Sequence, residues 1–489
     1  MTDVVLVHPK DGIYNQIYKP WLPLALLSAA SVLVQEGCRV RIIDTRLSKA
    51  WKQDLLDAVR AGPLCVGVTC MTGSQIAAAL EVSRVVREAG NVPVWWGGPH
   101  PSLFPEQTLE HPLIDGIVIG EGELTFPAVV KALRAGNTPE GIEGTGTKKD
   151  GKVLLNPRRP FVDLDTLPEI PYGLVSIPNH LHRYFSEDEV LEVETSRGCP
   201  YGCKFCYNAL YNFRKFRGYS PGRVLEHLQK LNRDHGVRSF HVIDDAFFVN
   251  LPRAREILER ILRERLSIRL GFQGIRIDTL QAMTDEDLDL LHRAGGRFLQ
   301  FGVESGSPRI LELIDKRIRI DQVHAQNRRL ARYPEIVPLY NLMCGFPTET
   351  REDFLQTAQT AWNLLKDNPQ ALISPFHHYK HYPGTALYEQ ARGDHYYTPR
   401  SLEEWATCDW TEAVRSQRSG EDIRLMKKAE TVSIFVDRKI EMQTNSRFFT
   451  WLAKLYRPVA RARLKRNYYA LMPEQWLLSA FNWLQRHRG

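Results

Sequence analysis

The chain has 489 residues, of which 43% are apolar and 25% are charged, the balance of a soluble globular protein with roughly two to four domains. That balance excludes wholesale disorder, a collagen-like repeat and a small domain held together by disulfides. The net charge of +7 resides in the C-terminal segment: residues 438–489 hold 11 Lys and Arg against 2 Asp and Glu, and the rest of the chain sums to −2. A body that binds nucleic acid is therefore not indicated.

The N-terminal residues and the cysteine content predict a cytoplasmic protein. Asp3 precedes the first apolar run and Lys10 follows it, so no secretory signal is predicted. The longest strongly apolar stretch has 14 residues, Trp21 to Val34, whereas a membrane-spanning helix needs ~20. The 8 cysteines are too sparse for a disulfide framework, which fits a reducing compartment.

In residues 1–136, short β-rich runs alternate with helical patterns, which predicts an α/β domain with a doubly wound, Rossmann-like parallel sheet. Runs such as "CVGVT" and "GIVIG" are apolar throughout, as expected for strands that are buried on both faces. Such a sheet binds ligands at the carboxyl ends of its strands. The predicted strands are 4–8, 39–44, 65–70, 92–98 and 116–120, and the predicted helices lie near 21–36, 51–61, 75–89 and 123–135.

The rest of the chain divides into three segments. Residues 137–189 predict a proline-rich surface connector with a hairpin turn at "KKDGK". Residues 190–395 predict six βα units, hence a partial (β/α)6 barrel with its chemistry at the carboxyl ends of the strands. Residues 396–489 lack strand patterns and predict a helical, basic C-terminal region. The barrel strands are predicted at 190–198, 239–247, 268–276, 297–305, 336–346 and 371–380.

Three cysteines follow the first barrel strand. In "ETSRGCPYGCKFCYN", Cys199, Cys203 and Cys206 have the spacing C-x3-C-x2-C, and no fourth cysteine is near. Cubane iron–sulfur clusters normally take four thiolates, so three would leave one iron open to another ligand. The alternative is a structural zinc site, which needs four closed ligands. The nearest downstream histidines, His227 and His235, fall inside a predicted helix.

This arrangement resembles the radical S-adenosylmethionine (SAM) superfamily. The resemblance implies a 4Fe–4S cluster whose open iron chelates the amino and carboxylate groups of SAM, and reductive cleavage of SAM to a 5′-deoxyadenosyl radical. Segments at later strand ends, "VIDDAFF", "FGVESGS", "LELIDKR" and "CGFPTET", match the same superfamily in order. By resemblance, the SAM contacts are Tyr207, Gly345 and Pro347 near adenine, Asp244 and Asp245 at the amino group, Glu304, Ser305 and Ser307 near ribose and methionine, and Lys316 and Arg317 at the carboxylate.

The loops of the N-terminal domain carry small residues. A G-x-G-x-x-G fingerprint is missing after the first strand, which disfavours NAD, whereas small residues let a backbone approach a broad, flat ligand. "GGPHPSLFPEQTL" followed by "IDGIVIGEGE" resembles the cobalamin-binding domain fused ahead of many radical SAM enzymes. The residues implied are Thr69, Thr72, Gly73, Ser74, Gly97, Gly98, His100, Gly120, Glu121 and Gly122.

The mode of cobalamin binding is only partly indicated. A D-x-H-x-x-G sequence is absent, which in the resembling branch goes with cobalamin bound base-off. His8, His100 or neither could approach the lower face of cobalt, and His100 could equally order its own loop. The alternative to cobalamin binding is a relic domain that only packs on the barrel.

Histidines and tyrosines cluster at the C-terminal end of the sixth predicted strand. In "SPFHHYKHYPG", alternation places His377, Tyr379 and His381 on one face and His378 on the other. Such residues can position a substrate or move a proton near neutral pH. The alternative is that they are hydrogen-bonded residues of the barrel wall.

The resemblance implies methyl transfer from methylcobalamin to an unactivated carbon of a small molecule, with an external one-electron reductant of flavodoxin or ferredoxin type. A first alternative is a radical SAM–cobalamin enzyme that forms or rearranges a ring without methyl transfer, like the anaerobic magnesium-protoporphyrin cyclases. A second is a non-catalytic cobalamin or iron–sulfur sensor. Product mass and deoxyadenosine formation distinguish the three.

The C-terminal region has an amphipathic pattern. Apolar residues from Phe448 to Val459 share one helical face and basic residues share the opposite face, while Pro458 predicts a kink. A basic amphipathic helix suits peripheral contact with an anionic membrane, which would favour an apolar, lipid-like or tetrapyrrole-like substrate. The alternative is that the apolar face covers the barrel and the basic residues are solvated. The apolar face comprises Phe448, Trp451, Leu452, Leu455 and Val459, the basic face Lys454, Arg457, Arg461 and Lys465, and a second stripe Leu477, Leu478, Phe481 and Leu484.

Overall fold

A computed structural model describes residues 2–10, 19–184, 188–380, 382, 384–391, 399–407, 420–443 and 446–486. Ala391 and residues 480–486 are described by their backbone alone. The chain forms two compact units. One comprises Met1–His180 with Thr398–Asp409, and the other comprises Leu181–Tyr397 with Trp410–Gly489.

The first unit contains the predicted doubly wound parallel sheet. Strands β1 to β5 run parallel in the order β2-β1-β3-β4-β5, with an apolar core on each face of the sheet. The order reverses between β1 and β3, where open sheets of this kind bind their ligands. The strands are β1 (Val4–His8), β2 (Val40–Asp44), β3 (Cys65–Thr69), β4 (Val94–Gly97) and β5 (Gly116–Val118), and the helices are α1 (Leu24–Gln35), α2 (Trp51–Arg60), α3 (Gln75–Ala89), α4 (Pro99–Leu103), α5 (Pro105–Glu110) and α6 (Gly122–Arg134).

The predicted hairpin belongs to this sheet rather than to a surface connector. Strands β6 (Thr145–Lys149) and β7 (Lys152–Leu155) pair antiparallel with each other, and β6 pairs antiparallel with β5. The turn lies where the sequence predicts it, at Asp150 and Gly151, which both have positive φ. Residues 145–147 are buried, so this edge of the sheet is closed by the hairpin.

The second unit is a curled half-barrel, as predicted. Strands β9 and β12–β16 run parallel in chain order, and β8 adds an antiparallel edge. The strands are β8 (His182–Arg183), β9 (Glu189–Val193), β10 (Ser196–Arg197), β11 (Arg217–Gly218), β12 (Ser239–Val242), β13 (Arg269–Ile275), β14 (Gly296–Glu304), β15 (Val337–Cys344), β16 (Leu372–Ile373) and β17 (His377–His378). The helices are α7 (Asn208–Tyr211), α8 (Pro221–His235), α9 (Leu251–Arg263), α10 (Ile277–Ala282), α11 (Asp285–Arg293), α12 (Pro308–Leu313), α13 (Ile320–Leu330), α14 (Arg351–Asp367) and α15 (Ala386–Ala391).

The sixth predicted strand is interrupted. It forms β16 and β17, each of which pairs with β15, instead of one strand over 371–380. Pro375 lies in the gap and has no N–H for the ladder. The Ser374 hydroxyl lies 3.0 Å from the backbone N–H of Leu342 and accepts its hydrogen bond there.

One helix from the predicted C-terminal region lies in the first unit. Helix α16 (Leu402–Thr407) packs against α3, and Trp405 joins the core on that side of the sheet. The Trp405 indole N–H donates to Gln107 Oε1 at 2.7 Å. The remaining helices, in the second unit, are α17 (Gly420–Ser433), α18 (Lys439–Gln443), α19 (Arg447–Arg466) and α20 (Pro473–Arg486).

The apolar stripe of α19 is exposed, which contradicts the alternative in which it covers the barrel. Phe448, Trp451, Leu455 and Val459 are 61%, 57%, 62% and 48% exposed, so they do not cover the barrel. Small and apolar residues between them pack α19 against α14, α17 and α18. Pro458 lies within one continuous helix.

The expected solvated basic face is wrong for two of its residues. Arg457 pairs with Glu441, and Arg461 donates to the backbone oxygen of Val436 at 2.7 Å. These two guanidinium groups therefore bind acceptors of the protein itself. Side chains of the second stripe beyond Ser479 lie outside the described residues. Among the residues described, no helix is long and apolar enough to span a bilayer.

Candidate functional site

The three cysteines lie on one loop beyond β9. Gly198 precedes Cys199 with φ +81°, and a Cβ there would lie 2.0 Å from the backbone oxygen of Lys215, so only glycine fits. Gly198 N–H donates to Asp245 Oδ2 at 3.0 Å, and Lys204 N–H donates to the Ile314 oxygen at 3.0 Å. These bonds hold the loop on the strand ends. The three thiols are free and half-buried.

The loop supplies soft sulfur donors beside positive charge. Arg276 Nη1 lies 3.5 Å from Cys203 Sγ. Burial raises the pKa of Cys199, and it raises the pKa of Cys206 to about 12, so these thiols need a cation or a metal to ionise. Free, half-buried thiols on one loop beside a guanidinium fit an iron–sulfur cluster. In the described part of the chain, no three His, Cys, Asp or Glu side chains converge as they would around a single metal ion.

Arg276 was missed by the sequence analysis. It follows β13, its guanidinium lies 3.8 Å over the Tyr201 ring, and its Nη2 donates to the Lys316 backbone oxygen at 2.6 Å. Arg276 therefore ties the cysteine loop to the segment after β14. The signal was an arginine at the last position of the third predicted strand, in "GIRID", but a lone basic residue there has many possible uses.

The two aspartates after β12 have different environments. Asp244 is buried, and its carboxylate accepts from Thr195 N–H and Thr195 Oγ1 at 2.6 Å and from the Ser196 hydroxyl. Burial raises the pKa of Asp244, although these hydrogen bonds oppose the shift. Asp245 is exposed beside the cysteine loop. The geometry therefore uses Asp244 to order the strand ends and leaves Asp245 open to a ligand.

Glu304 and Lys316 form a buried pair at the end of β14. Lys316 Nζ lies 2.8 Å from Glu304 Oε1, and Glu304 has φ +69°. A Cβ on Gly302 would lie 2.4 Å from that oxygen. Burial alone would lower the pKa of Lys316, but the Glu304 carboxylate and the Cys203 thiol raise it above its ordinary value. The neighbouring Arg317 points away and pairs with Asp315 at 2.7 Å.

The other predicted SAM contacts are placed mostly in packing roles. Ser305 is buried against Thr357 at 3.1 Å, and Ser307 caps α12 and donates to Asp353 at 2.6 Å. Gly345 N–H donates to Glu349 Oε2 at 2.5 Å. Tyr207 follows Cys206 directly, and its ring centroid lies 5.8 Å from that of Tyr382, which leaves an aromatic wall beside the cysteine loop.

The histidines of β17 face opposite sides of the sheet, as alternation predicts. His377 lies beside Met343 in the strand register, on the concave face. Its side chain has exposed surface, but the surrounding barrel partly removes it from water, and this desolvation lowers its pKa. His378 is buried on the convex face, where Nδ1 lies 3.6 Å from Cys344 Sγ and Nε2 lies 3.3 Å from Glu430. Tyr379 follows β17 and is buried against Phe346, so it does not share the environment of His377. His381 lies outside the described residues.

In the first unit, the small residues of the edge loops leave room above the strand ends. A Cβ on Gly97 would meet only Val118 Cβ, at 3.8 Å, so the end of β4 is open. Gly98 has φ +97°, and a Cβ there would lie 3.0 Å from the Cys70 oxygen. An open strand end beside glycine loops fits the approach of a flat macrocycle. Thr69 ends β3, and Gly73 and Ser74 lie in the loop after it. Gly120 and Glu121 precede α6, which begins at Gly122.

His100 orders its own loop. Its Nδ1 lies 3.1 Å from Thr72 Oγ1, and its ring packs 5.1 Å from Phe104 and 5.8 Å from Trp405. Burial lowers its pKa to about 3, so it is neutral. The His8 ring is half-buried, with Nδ1 3.0 Å from the oxygen of Pro9. Of these two histidines, only His8 keeps exposed surface at this sheet edge.

Comparisons with known proteins agree with both units. The Radical SAM superfamily model matches residues 193–361, and the B12 binding domain model matches residues 11–130. An uncharacterised methyltransferase of Pyrococcus horikoshii is 33% identical over 442 residues, covering 89% of this chain and 93% of that protein. The anaerobic magnesium-protoporphyrin IX monomethyl ester cyclase of Synechocystis is 26% identical over 383 residues, covering 76% and 74%.

Solved structures show the same fold. The cobalamin-dependent SAM radical enzyme OxsB, with aqua-cobalamin and SAM bound, has a TM-score of 0.74 at 19% identity, covering 99% of this chain and 76% of that chain. The methyltransferase TsrM from Kitasatospora setae, with cobalamin and a [4Fe-4S] cluster bound, has a TM-score of 0.69 at 18% identity, covering 94% and 100%. The chain is an enzyme of the radical SAM class. It belongs to the cobalamin-binding family of that superfamily, and its cofactors are a 4Fe–4S cluster, SAM and cobalamin.

Proposed function

We propose that the chain methylates an unactivated carbon of a small molecule. The observation that carries this is the three-cysteine loop held against Asp245 and Arg276, in a chain that has a cobalamin-binding domain and a methyltransferase relative. When bound, the cluster and SAM supply a 5′-deoxyadenosyl radical and cobalamin supplies the methyl group. A one-electron reductant of flavodoxin or ferredoxin type would deliver the electron.

The residues divide this work between holding and positioning. Cys199, Cys203 and Cys206 would hold the cluster, and Arg276 would balance its negative charge. Exposed Asp245 would accept the amino group of SAM, while buried Asp244 keeps the loop in place. His377 on the concave face would position substrate or move a proton. The packing of Ser305, Gly345 and Tyr207 would shape the wall of the SAM site.

The function is tested by anaerobic reconstitution of the full chain with cobalamin, a reductant and SAM labelled in its methyl group. Labelled product and 5′-deoxyadenosine are expected together, and the product gains about 14 Da per methyl group. A product without added mass would favour the ring-forming alternative. Absence of deoxyadenosine under reduction would favour a sensor.

The two aspartates provide a matched pair of variants. Asp245→Asn is expected to raise the KM for SAM roughly tenfold, because a charge-assisted hydrogen bond is lost. Asp244→Asn is expected to cost about 1–3 kcal/mol of stability, because three donors lose their carboxylate partner. Deoxyadenosine kinetics at varied SAM and urea denaturation measure the two effects. The reverse pattern would assign the amino group to Asp244.

The open end of β4 provides a test of cobalamin binding. Gly97→Val is expected to reduce cobalamin uptake at least tenfold, because the valine occupies the space above the strand end, while the iron content stays unchanged. Gly90→Val is the matched control, since a Cβ there meets nothing within 4 Å and the residue lies at the opposite edge of the sheet. Absorbance of the reconstituted protein measures both. Equal uptake by the two variants would contradict the site and favour a relic domain.

We also propose that the exposed face of α19 contacts an anionic membrane. Apolar Phe448, Trp451, Leu455 and Val459 are flanked by exposed Arg447, Lys454, Lys465 and Arg466, without an exposed acidic residue on this helix. Each basic residue contributes ~1 kcal/mol near anionic headgroups. Contact with lipid would suit an amphipathic, tetrapyrrole-like or lipid-like substrate.

Co-sedimentation with phosphatidylserine vesicles tests this contact. Wild type is expected to bind at low salt and to bind less at high salt, because salt screens the basic residues. The double variant Trp451→Ser, Leu455→Ser is expected to lose most binding, whereas Leu154→Ser, at an exposed leucine of the first unit, retains it. Equal binding by both variants, or no binding at low salt, would contradict the proposal.

A further inference from the structure

The concave face of the half-barrel changes character along its strands. Its first layer is apolar and consists of Phe298, Val337, Leu339 and Leu372. Gln300 lies two residues beyond Phe298 on β14 and level with Leu339, and Asn341 lies two residues beyond Leu339 on β15. These two side chains form an amide layer next to the apolar one. Met343 and the exposed His377 follow as a third layer. The apolar layer thus forms the floor of the concave face, and the amides lie between this floor and the cofactor site at the carboxyl ends of the strands.

The amide layer is a directed hydrogen-bond chain. The Tyr184 hydroxyl donates to Gln300 Oε1 at 3.2 Å, and Gln300 Nε2 donates to Asn341 Oδ1 at 3.2 Å. These hydrogen bonds fix the orientation of the Asn341 amide, with its Oδ1 toward Gln300. They therefore turn the Nδ2 donor of Asn341 away from Gln300. No group in the described part of the chain accepts from this Nδ2.

Solvent reaches this layer. Gln300, Asn341 and Met343 are half-exposed, whereas Phe301, Leu342 and the other residues that alternate with them are buried on the convex face. The concave face is therefore open above its apolar floor. A ligand that displaced the water there would need to accept a hydrogen bond from Asn341, since a desolvated donor without a partner weakens binding.

We propose that Asn341, oriented by Gln300 and Tyr184, binds a hydrogen-bond-accepting oxygen of the methyl acceptor, either a carbonyl, a carboxylate or a phosphoryl oxygen. The inference rests on the proposed function and names its substrate class: a small molecule with such an oxygen near the reacting carbon. Wholly hydrocarbon substrates are excluded by it. His377 lies beside Met343 on the same face, next to the position proposed for this molecule.

SAM also carries acceptor oxygens, so the experiment must distinguish an oxygen of the methyl acceptor from an oxygen of SAM. The full reconstituted chain is incubated with methyl-labelled SAM, once alone and once with a small-molecule extract of the cells that encode it. Asn341→Leu removes the donor and keeps the branching of the side chain, and Asn341→Ala is a smaller second variant that guards against misfolding. Asn363→Leu on the outer helix α14 is the matched control. Labelled product is measured by mass spectrometry, and deoxyadenosine is measured in both incubations.

Wild type is expected to label an oxygen-bearing product. Both Asn341 variants should lose roughly 10- to 100-fold in product formation, with deoxyadenosine from SAM alone unchanged. The Asn363 variant should match wild type. Unchanged labelling in both Asn341 variants, or a product without oxygen, overturns this inference and leaves the proposed function standing. Loss of deoxyadenosine from SAM alone assigns Asn341 to SAM and also overturns it. A wild type that labels nothing overturns the proposed function, and this inference with it.

Discussion

Replacing Cys199, Cys203 and Cys206 together by Ala is expected to abolish the ~400 nm absorbance of the reconstituted protein and its deoxyadenosine formation. All three sulfurs lie on one short loop, and no other thiol in that loop can substitute for them. Cobalamin uptake is expected to remain, because the first unit has its own core on both faces of its sheet.

Cys344→Ala is the matched control for the triple variant. Cys344 is buried on the convex face beside His378, so its loss should leave the cluster and the deoxyadenosine yield unchanged. Iron and sulfide analysis should follow the absorbance. A triple variant that keeps its cluster would contradict the assignment, as would a Cys344 variant that loses it.

Lys316→Met is expected to destabilise the second unit by about 3–5 kcal/mol, because it leaves the Glu304 carboxylate buried without its partner. The double variant Glu304→Gln, Lys316→Met removes both charges and should recover much of that loss. Urea denaturation of the two variants, followed by far-ultraviolet circular dichroism, measures the difference.

Arg317→Met is the control for that experiment. Arg317 is exposed and pairs with Asp315, and such a surface pair contributes little to stability. Equal destabilisation by Lys316→Met and Arg317→Met would contradict the role given to the buried pair. A double variant that is no more stable than Lys316→Met would show that the lost packing, rather than the stranded charge, carries the cost.

The fold could be predicted from the sequence because periodicity is a local signal. All five parallel strands of the first unit and the first five parallel strands of the second follow from apolar runs and glycine or proline boundaries. The break between β16 and β17 is partly foreseeable from Pro375. The pairing of the hairpin with β5 was not foreseeable, because register between distant segments is a tertiary property.

Side-chain roles were harder to predict than side-chain positions. Motif order placed Asp244 and Asp245 at the correct strand end but could not tell the buried carboxylate from the exposed one. Alternation separated His377 from His378 correctly, yet Tyr379 departs from the pattern because it leaves the strand and stacks on Phe346. The orientation of α19 depends on its neighbours: Phe449 and Ala453 are the buried residues of its first half, and the larger apolar residues are exposed.

The position of α16 limits how this protein can be divided. The chain leaves the first unit after His180 and returns to it for Thr398–Asp409, so the unit is discontinuous in sequence. An N-terminal fragment ending at His180 would lack Trp405, and the rings of His100 and Phe104 that pack against it would be uncovered. The first unit therefore cannot be transferred between relatives as its N-terminal segment alone, and an exchange of this unit must include residues 399–407.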